Sequence, residues 1–340
     1  MSIVVFTLTQ NFTHRKPKPF STFFFNGLHK YNAILLLAEF PKVLSLGLSL
    51  IFVIYVNDLG WDCPDVSKPK FADDFQLYKH IVYKLDHLVM CKAVTNIENW
   101  CKDWQLPISI GKCSIMHLGF RNLKYDYTVL DNKLNCLHSF KDLGVIVTDD
   151  LKSSLHCNTI VKTARARAAM IRRCFLSKDP LTLVWAFKVY VRPILEYASP
   201  VWSPYLIKDI ELLESVQRRF TKLIPGMYNK SYEDRLTILK LVSLELRRLH
   251  IDLVFTFSLL KNHYDIDYSR FFTVRGSQKT RGHPLKLVVN MAKTNSRKYF
   301  FANRVVKVWN SLPSELVLVH SIAAFKRGLV NVDLSNFLSR

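Results

Sequence analysis

The chain has 340 residues, 49% hydrophobic and 22% charged, a globular composition with room for two or three subdomains around a sizeable core. Lys and Arg outnumber Asp and Glu by 48 to 27, a net charge of +21, which points to a polyanionic partner, nucleic acid before membrane. Seven scattered cysteines, an odd number with no Cys-x-x-Cys pair, exclude a disulfide scaffold and read as reduced intracellular thiols.

Ile3 to Leu8 is a short apolar run with no basic residue before it, so no clean secretory signal opens the chain. Residues 1 to 42 carry Phe, Thr and Lys, no clear periodicity, and Glu39 as their only acid. Val43 to Val56 is fourteen residues almost without polarity, bracketed by Lys42 and Asp58. A spanning helix needs about 20 residues, so a buried helix or strand is expected and stable membrane insertion is not. Asn57-Asp58-Leu59-Gly60 then gives a stop and a turn.

Val66 to Phe71 and Phe75 to Tyr78 read as two short strands with Asp73 and Asp74 in the turn between them. From Val82 to Gln105 apolar residues recur at helical spacing (Leu85, Leu88, Val89, Val94, Ile97, Trp100, Cys101, Trp104), and Pro107 is expected to end the helix. Strands are expected at Ser114 to Leu118, Tyr125 to Leu130, Leu134 to Leu137 and Gly144 to Val147, with Asp131-Asn132 as the turn between the second and third.

After residue 150 the pattern becomes helical. On Asn158 to Phe175, Ile160, Val161, Ala164, Ala168, Ile171 and Phe175 share one face, and Lys162, Arg165, Arg172 and Arg173 cluster on the other. A stripe of one sign suits a phosphate backbone, whereas a merely solvated face usually mixes signs. Leu181 to Glu196 is strongly apolar. Lys208 to Leu223 is a cleaner helix whose basic end holds Arg218, Arg219 and Lys222, stopped by Pro225-Gly226. Tyr232 to Leu260 reads as one or two helices, Arg270 to Arg281 as a basic loop, and Arg297 to Lys307 as basic and aromatic.

Three residue pairs bear on metal chemistry. Cys113 with His117, and His156 with Cys157, lack two further ligands at finger spacing, which argues against zinc. Asp73-Asp74 on a tight turn could share a hard divalent cation such as Mg²⁺, as two-metal phosphoryl transfer requires. An ordinary polar turn is the plainer alternative for that pair.

The flanking pieces, taken in order, resemble the C-terminal half of the reverse transcriptase of non-LTR (LINE-type) retrotransposons, of the jockey-like or CR1-like kind. Phe52-Val53-Ile54-Tyr55-Val56-Asn57-Asp58-Leu59 resembles the apolar helix and Asn-Asp-Leu that precede the active hairpin, and Phe71-Ala72-Asp73-Asp74 the catalytic box. Trp100 to Leu106 followed by Gly111-Lys112-Cys113 is similar to the next palm motif, and Lys141-Asp142-Leu143-Gly144-Val145 to the primer-grip region. Tyr190 to Tyr197, Ser199 to Trp202, Leu213 to Phe220 and Trp309-Asn310-Ser311-Leu312-Pro313 resemble the thumb and tail.

The resemblance covers residues 46 to 330 and implies an α+β chain: an unassigned leader (1–42), a partial palm of antiparallel sheet and helices (43–150), a helical thumb-like region (151–262) and a basic C-terminal region (263–340). It implies RNA-templated DNA synthesis with an RNA template, a DNA primer, deoxynucleotide triphosphates and Mg²⁺, in a nuclear or cytoplasmic ribonucleoprotein. Asp73 and Asp74 would be the metal ligands. Lys112 would sit near the leaving pyrophosphate, where an ammonium offsets the departing charge.

The chain also departs from the family. Another aspartate is needed from a strand before the apolar helix, yet no Asp precedes Asp58. Residues 1 to 42 read as an unrelated or frame-disrupted leader on a truncated polymerase, without fingers or upstream endonuclease. The expectation is a chain that does not polymerise on its own and whose sheet has an unpaired edge. A nucleic-acid-binding remnant using only the basic thumb is the second reading, and a protein anchored by Val43 to Val56 the third.

Overall fold

The computed structural model describes residues 2–7, 56–71, 74–119, 122–275 and 282–339. The apolar run from Val43 therefore lies outside the described residues except for Val56, and so do Ala72 and Asp73. The architecture is α+β, with small sheets in the N-terminal part and helices through most of the rest. The chain divides into two compact units, Met1–Ser139 and Phe140–Arg340.

The first unit is built on a five-stranded sheet. Its strands are β1 (Ser2–Thr7), β2 (Lys70–Phe71), β3 (Asp74–Lys79), β4 (Ser114–His117) and β7 (Asn135–Cys136), in the spatial order β2-β3-β1-β4-β7. A separate hairpin joins β5 (Thr128–Val129) to β6 (Asn132–Lys133). Strand β1 lies between β3 and β4 and pairs antiparallel with both, and the edges of this sheet among the described residues are β2 and β7. The β-branched run Ile3, Val4, Val5, Thr7 explains why this stretch takes a strand.

One face of the sheet packs under α1 (Lys84–Asp103). Phe75, Leu77 and Ile115 join Met90, Ala93, Val94, Ile97 and Cys101 in a single core. The stripe at 90, 93, 94, 97 and 101 is a continuous helical face. Leu85 and Leu88 fall off it and are 70% and 52% exposed, so Met90 and Ala93 replace them in the core.

The helix ends before Pro107. Gln105 is left-handed (φ 53°), its N–H reaches Lys102 O, and Leu106 N–H reaches Cys101 O at 2.9 Å. Those two bonds form a Schellman cap. The next turn also differs by one residue from expectation. Val129 pairs with Asn132, so Leu130-Asp131 forms the loop, both at positive φ (46° and 60°). Such a primed turn matches the twist of the strands, and Asn132 Nδ2 holds Leu130 O at 2.6 Å.

The second unit opens on the hairpin of β8 (Ser139–Asp142) and β9 (Val145–Thr148), closed by Leu143-Gly144 at φ 43° and 90°. Then come α2 (Ser154–Cys174), α3 (Pro180–Tyr190), α4 (Arg192–Glu196), α5 (Ser199–Trp202), α6 (Ile207–Lys222), α7 (Tyr232–Ile238) and α8 (Leu244–Leu260). The C-terminal helices are α9 (Asn295–Lys298), α10 (Phe301–Ser311), α11 (Ser314–Val317) and α12 (Ile322–Leu329). Tyr232 to Leu260 is two helices because Lys240 turns left-handed (φ 49°) and Ser243 starts α8 by capping Leu246 N–H.

One core of this unit gathers Val161, Ala164 and Ile171 with Phe187, Leu213, Val216 and Phe220. A second gathers Leu253 and Phe257 with Val305, Trp309 and Phe325. Among the described residues, no helix is long and apolar enough to cross a membrane.

Candidate functional site

The hairpin that carries the acid pair is set by register. Ser67 pairs with Tyr78, Lys70 with Phe75 and Phe71 with Asp74, all in one alignment. Asp74 is thus the first residue of β3 rather than part of the loop, and it is exposed. Asp73 lies outside the described residues.

The preceding turn is fastened to this hairpin by lysines. Lys70 Nζ donates to Val56 O (3.2 Å) and Asn57 O (2.7 Å), and Lys68 Nζ donates to Gly60 O (2.5 Å). Gly60 has φ +79°, and a Cβ there would lie 3.2 Å from Phe75 Cζ. Only glycine fits both the backbone and the space. The Asn57-Asp58-Leu59-Gly60 turn thereby buttresses the strand that begins at Asp74. Partial burial lowers the Lys70 pKa, with Asp58 opposing the shift.

Strand β1 supplies the neighbour of Asp74. In its pairing with β3, Thr7 is the Cα partner of Asp74. In its pairing with β4, Val5 is the partner of Ser114. That register ends at Ser114; Lys112, two residues earlier, closes the Ile110–Lys112 3₁₀ turn and is exposed. Asp74 is thus paired with the last residue of β1, while Lys112 lies in the turn that leads into β4, the other neighbour of β1.

No acid occurs on β1, whose sequence is Ser-Ile-Val-Val-Phe-Thr. Among the described residues, no group of three His, Cys, Asp or Glu side chains is placed to hold a metal ion. Two-metal transfer needs oxygen ligands that clamp both the attacking and leaving groups. The described residues do not fit a complete Mg²⁺ site of that kind.

The two Cys/His pairs are engaged inside the fold. Cys113 Sγ donates to Ser109 O (3.3 Å). The His156 ring is buried, its Nδ1 accepts Ile146 N–H (3.2 Å), and it meets the Trp202 ring edge-on at 4.8 Å. Burial depresses the His156 pKa to about 4 and raises the Cys157 thiol to about 12.

The basic residues lie on α2 and α6 in the second unit. Lys162, Arg165, Arg172 and Arg173 are all exposed, opposite the buried Val161, Ala164 and Ile171. Arg165 is engaged, with Nη2 donating to Ser215 Oγ at 2.9 Å. Near the start of α2, Ser154 Oγ donates to the buried Asp209 at 2.5 Å. Both links ascend together, so α2 and α6 run in the same direction and carry their basic last turns to the same end.

On α6, Arg218 pairs with Glu211 (3.0 Å) and lies over the Tyr232 ring, Lys222 lies over the Tyr228 ring, and Arg219 is exposed. Arg172, Arg173, Arg219 and Lys222 also complement the negative ends of their helices, which gives them a structural reason to be there.

Sequence reading missed Thr7 and, on α2, the exposed Arg167. The β-branched content of residues 3 to 7 was the available signal for the strand. Its partners are set by tertiary pairing and carry no local mark.

No family model matches this chain. The chain is 28% identical over 111 residues to an uncharacterized Caenorhabditis elegans protein, B0403.1. That stretch covers 32% of this chain and about half (53%) of the relative.

Proposed function

We propose that the chain is a reverse-transcriptase fragment of the non-LTR retrotransposon kind, whose nucleotidyl-transfer site is incomplete and which does not polymerise on its own. The observation that supports this reading is that Asp74 opens β3, whose partner β1 also pairs with β4, the strand that Lys112 precedes by two residues, and that Asp73 falls in sequence between the paired strands β2 and β3. Such a layout suits a carboxylate and an ammonium acting on a triphosphate. On β1 the residue across from Asp74 is Thr7, so this strand supplies no opposing carboxylate. Mg²⁺, deoxynucleotide triphosphates, an RNA template and a DNA primer belong to this reading as the ligands of the ancestral activity.

The test is Mn²⁺ binding to the full chain by paramagnetic resonance. Weak binding that D73A/D74A removes supports the reading. Binding that the double substitution leaves unchanged overturns it.

The second reading is a nucleic-acid-binding remnant. It is favoured by the co-directional basic ends of α2 and α6 and by the exposure of Lys162, Arg172, Arg173 and Arg219. An RNA–DNA hybrid should lose affinity steeply as salt rises, with a slope of about 0.9 per phosphate neutralised. K162A/R172A/R173A is expected to lower that slope by about 2 to 3. An unchanged slope removes these residues from the interface.

A further inference from the structure

Helices α8 and α10 of the second unit form two walls of an open cavity of about 560 Å³. Its volume lies within the usual range for small-ligand pockets. Glu245, Arg248, Leu249 and Asp252 line one wall at helical spacing from α8, and Asn303, Arg304 and Lys307 line the other from α10. Lys298 and the rings of Tyr205 and Tyr299 complete it, the rings stacked at 4.4 Å and 2°.

The polar groups of this cavity are unequally satisfied. Arg304 holds Asp252 through two bonds, 2.8 and 2.9 Å, and also reaches the carbonyls of Pro200 and Tyr299. Glu245 accepts Ser339 N–H at 2.8 Å. Arg248 differs: it is 2% exposed, and its Nε and Nη1 have no hydrogen-bond partner among the described residues.

The carboxylates around Arg248 are bonded elsewhere. Glu214 takes Tyr232 OH and Leu244 N–H, and Asp252 takes Arg304. Leaving a buried donor unsatisfied costs about 1–3 kcal/mol, and more when it is charged. Asn303 Oδ1 is likewise buried without a partner among the described residues. Among the described residues, four cations line the cavity against two carboxylates.

We propose that this cavity binds a small phosphate monoester, a dianion, through Arg248, Lys298 and Lys307, with Asn303 Oδ1 accepting from a hydroxyl or amine of the same ligand. A dianion matches the surplus of two positive charges, and the Arg248 guanidinium offers the donors a phosphate oxygen accepts best. A phosphodiester, with one charge and no terminal phosphate, is a poorer match.

The experiment is calorimetric titration of the full chain with 5′-AMP, with inorganic phosphate as competitor and a dinucleoside monophosphate as the diester control. Saturable 5′-AMP binding, displaced by phosphate and weakened at least about tenfold in K298A/K307A, is expected. Both of those lysines are exposed, so this variant keeps the core intact. R248Q should weaken binding as well. The proposal is overturned if neither 5′-AMP nor phosphate binds at millimolar concentration, if the lysine variant binds as tightly as the parent, or if the diester binds as well as the monoester.

Discussion

His156 stands in the first turn of α2, where its Nδ1 must carry a lone pair to accept Ile146 N–H. Protonation breaks that bond inside a buried site. The folded pKa of about 4 lies below the ordinary value of 6.5, so the unfolded chain binds the extra proton more readily. Stability is therefore full above pH 6.5, falls as pH drops toward 4, and loses nothing more from this group below that. The difference corresponds to about 3 kcal/mol. H156Q keeps an acceptor for Ile146 N–H and is expected to flatten the pH dependence of the denaturant midpoint in that window. An unflattened curve would assign the acid sensitivity to other groups; His117, His250 and His283 shift in the same direction through burial. Residues differed in how well the sequence announced them. Asp74 and Lys112 are singled out because each sits in a motif of ordered neighbours. Arg248 is one Arg among many, and its burial appears only when α8 and α10 pack.

Among elements, β1 changes the most. The run Ile3 to Leu8 has strand-forming residues, but its place in the sheet depends on contacts more than 60 residues away. Helices were easier to read. The α6 helix was expected at Lys208 to Leu223 and runs from Ile207 to Lys222, because its apolar stripe repeats locally. The Asp-Asp hairpin was expected and forms, with Asp74 in the strand. Turns were placed to within a residue, since Leu130-Asp131 needs two positive φ values that no sequence signal there demands. The strand β1 yields a direct prediction. Residues opposite one another on antiparallel strands have Cβ atoms about 4.5–5.5 Å apart. T7D would therefore bring a carboxylate beside that of Asp74. Mn²⁺ affinity should rise at least about tenfold in T7D, by the charge count that sets affinity in oxygen-ligand sites. No gain would mean that β1 does not hold position 7 against Asp74.

At the scale of the whole molecule, the two compact units divide the chemistry. The first carries the acid pair and Lys112. The second carries the basic ends of α2 and α6 and the cavity between α8 and α10. The net charge of +21 fits a polyanion-binding protein and does not by itself define an enzyme. The α+β class was legible because the hydrophobic period changes from strand-like to helical near residue 150, while the division of the chain falls earlier, after Ser139, where pairing in the sheet ends. The central claim is the proposal that the chain is a reverse-transcriptase fragment whose transfer site is incomplete. Primer extension on an RNA template with Mg²⁺ or Mn²⁺ tests it most directly: no incorporation by the full chain is the predicted result, and incorporation that D73A abolishes would contradict it.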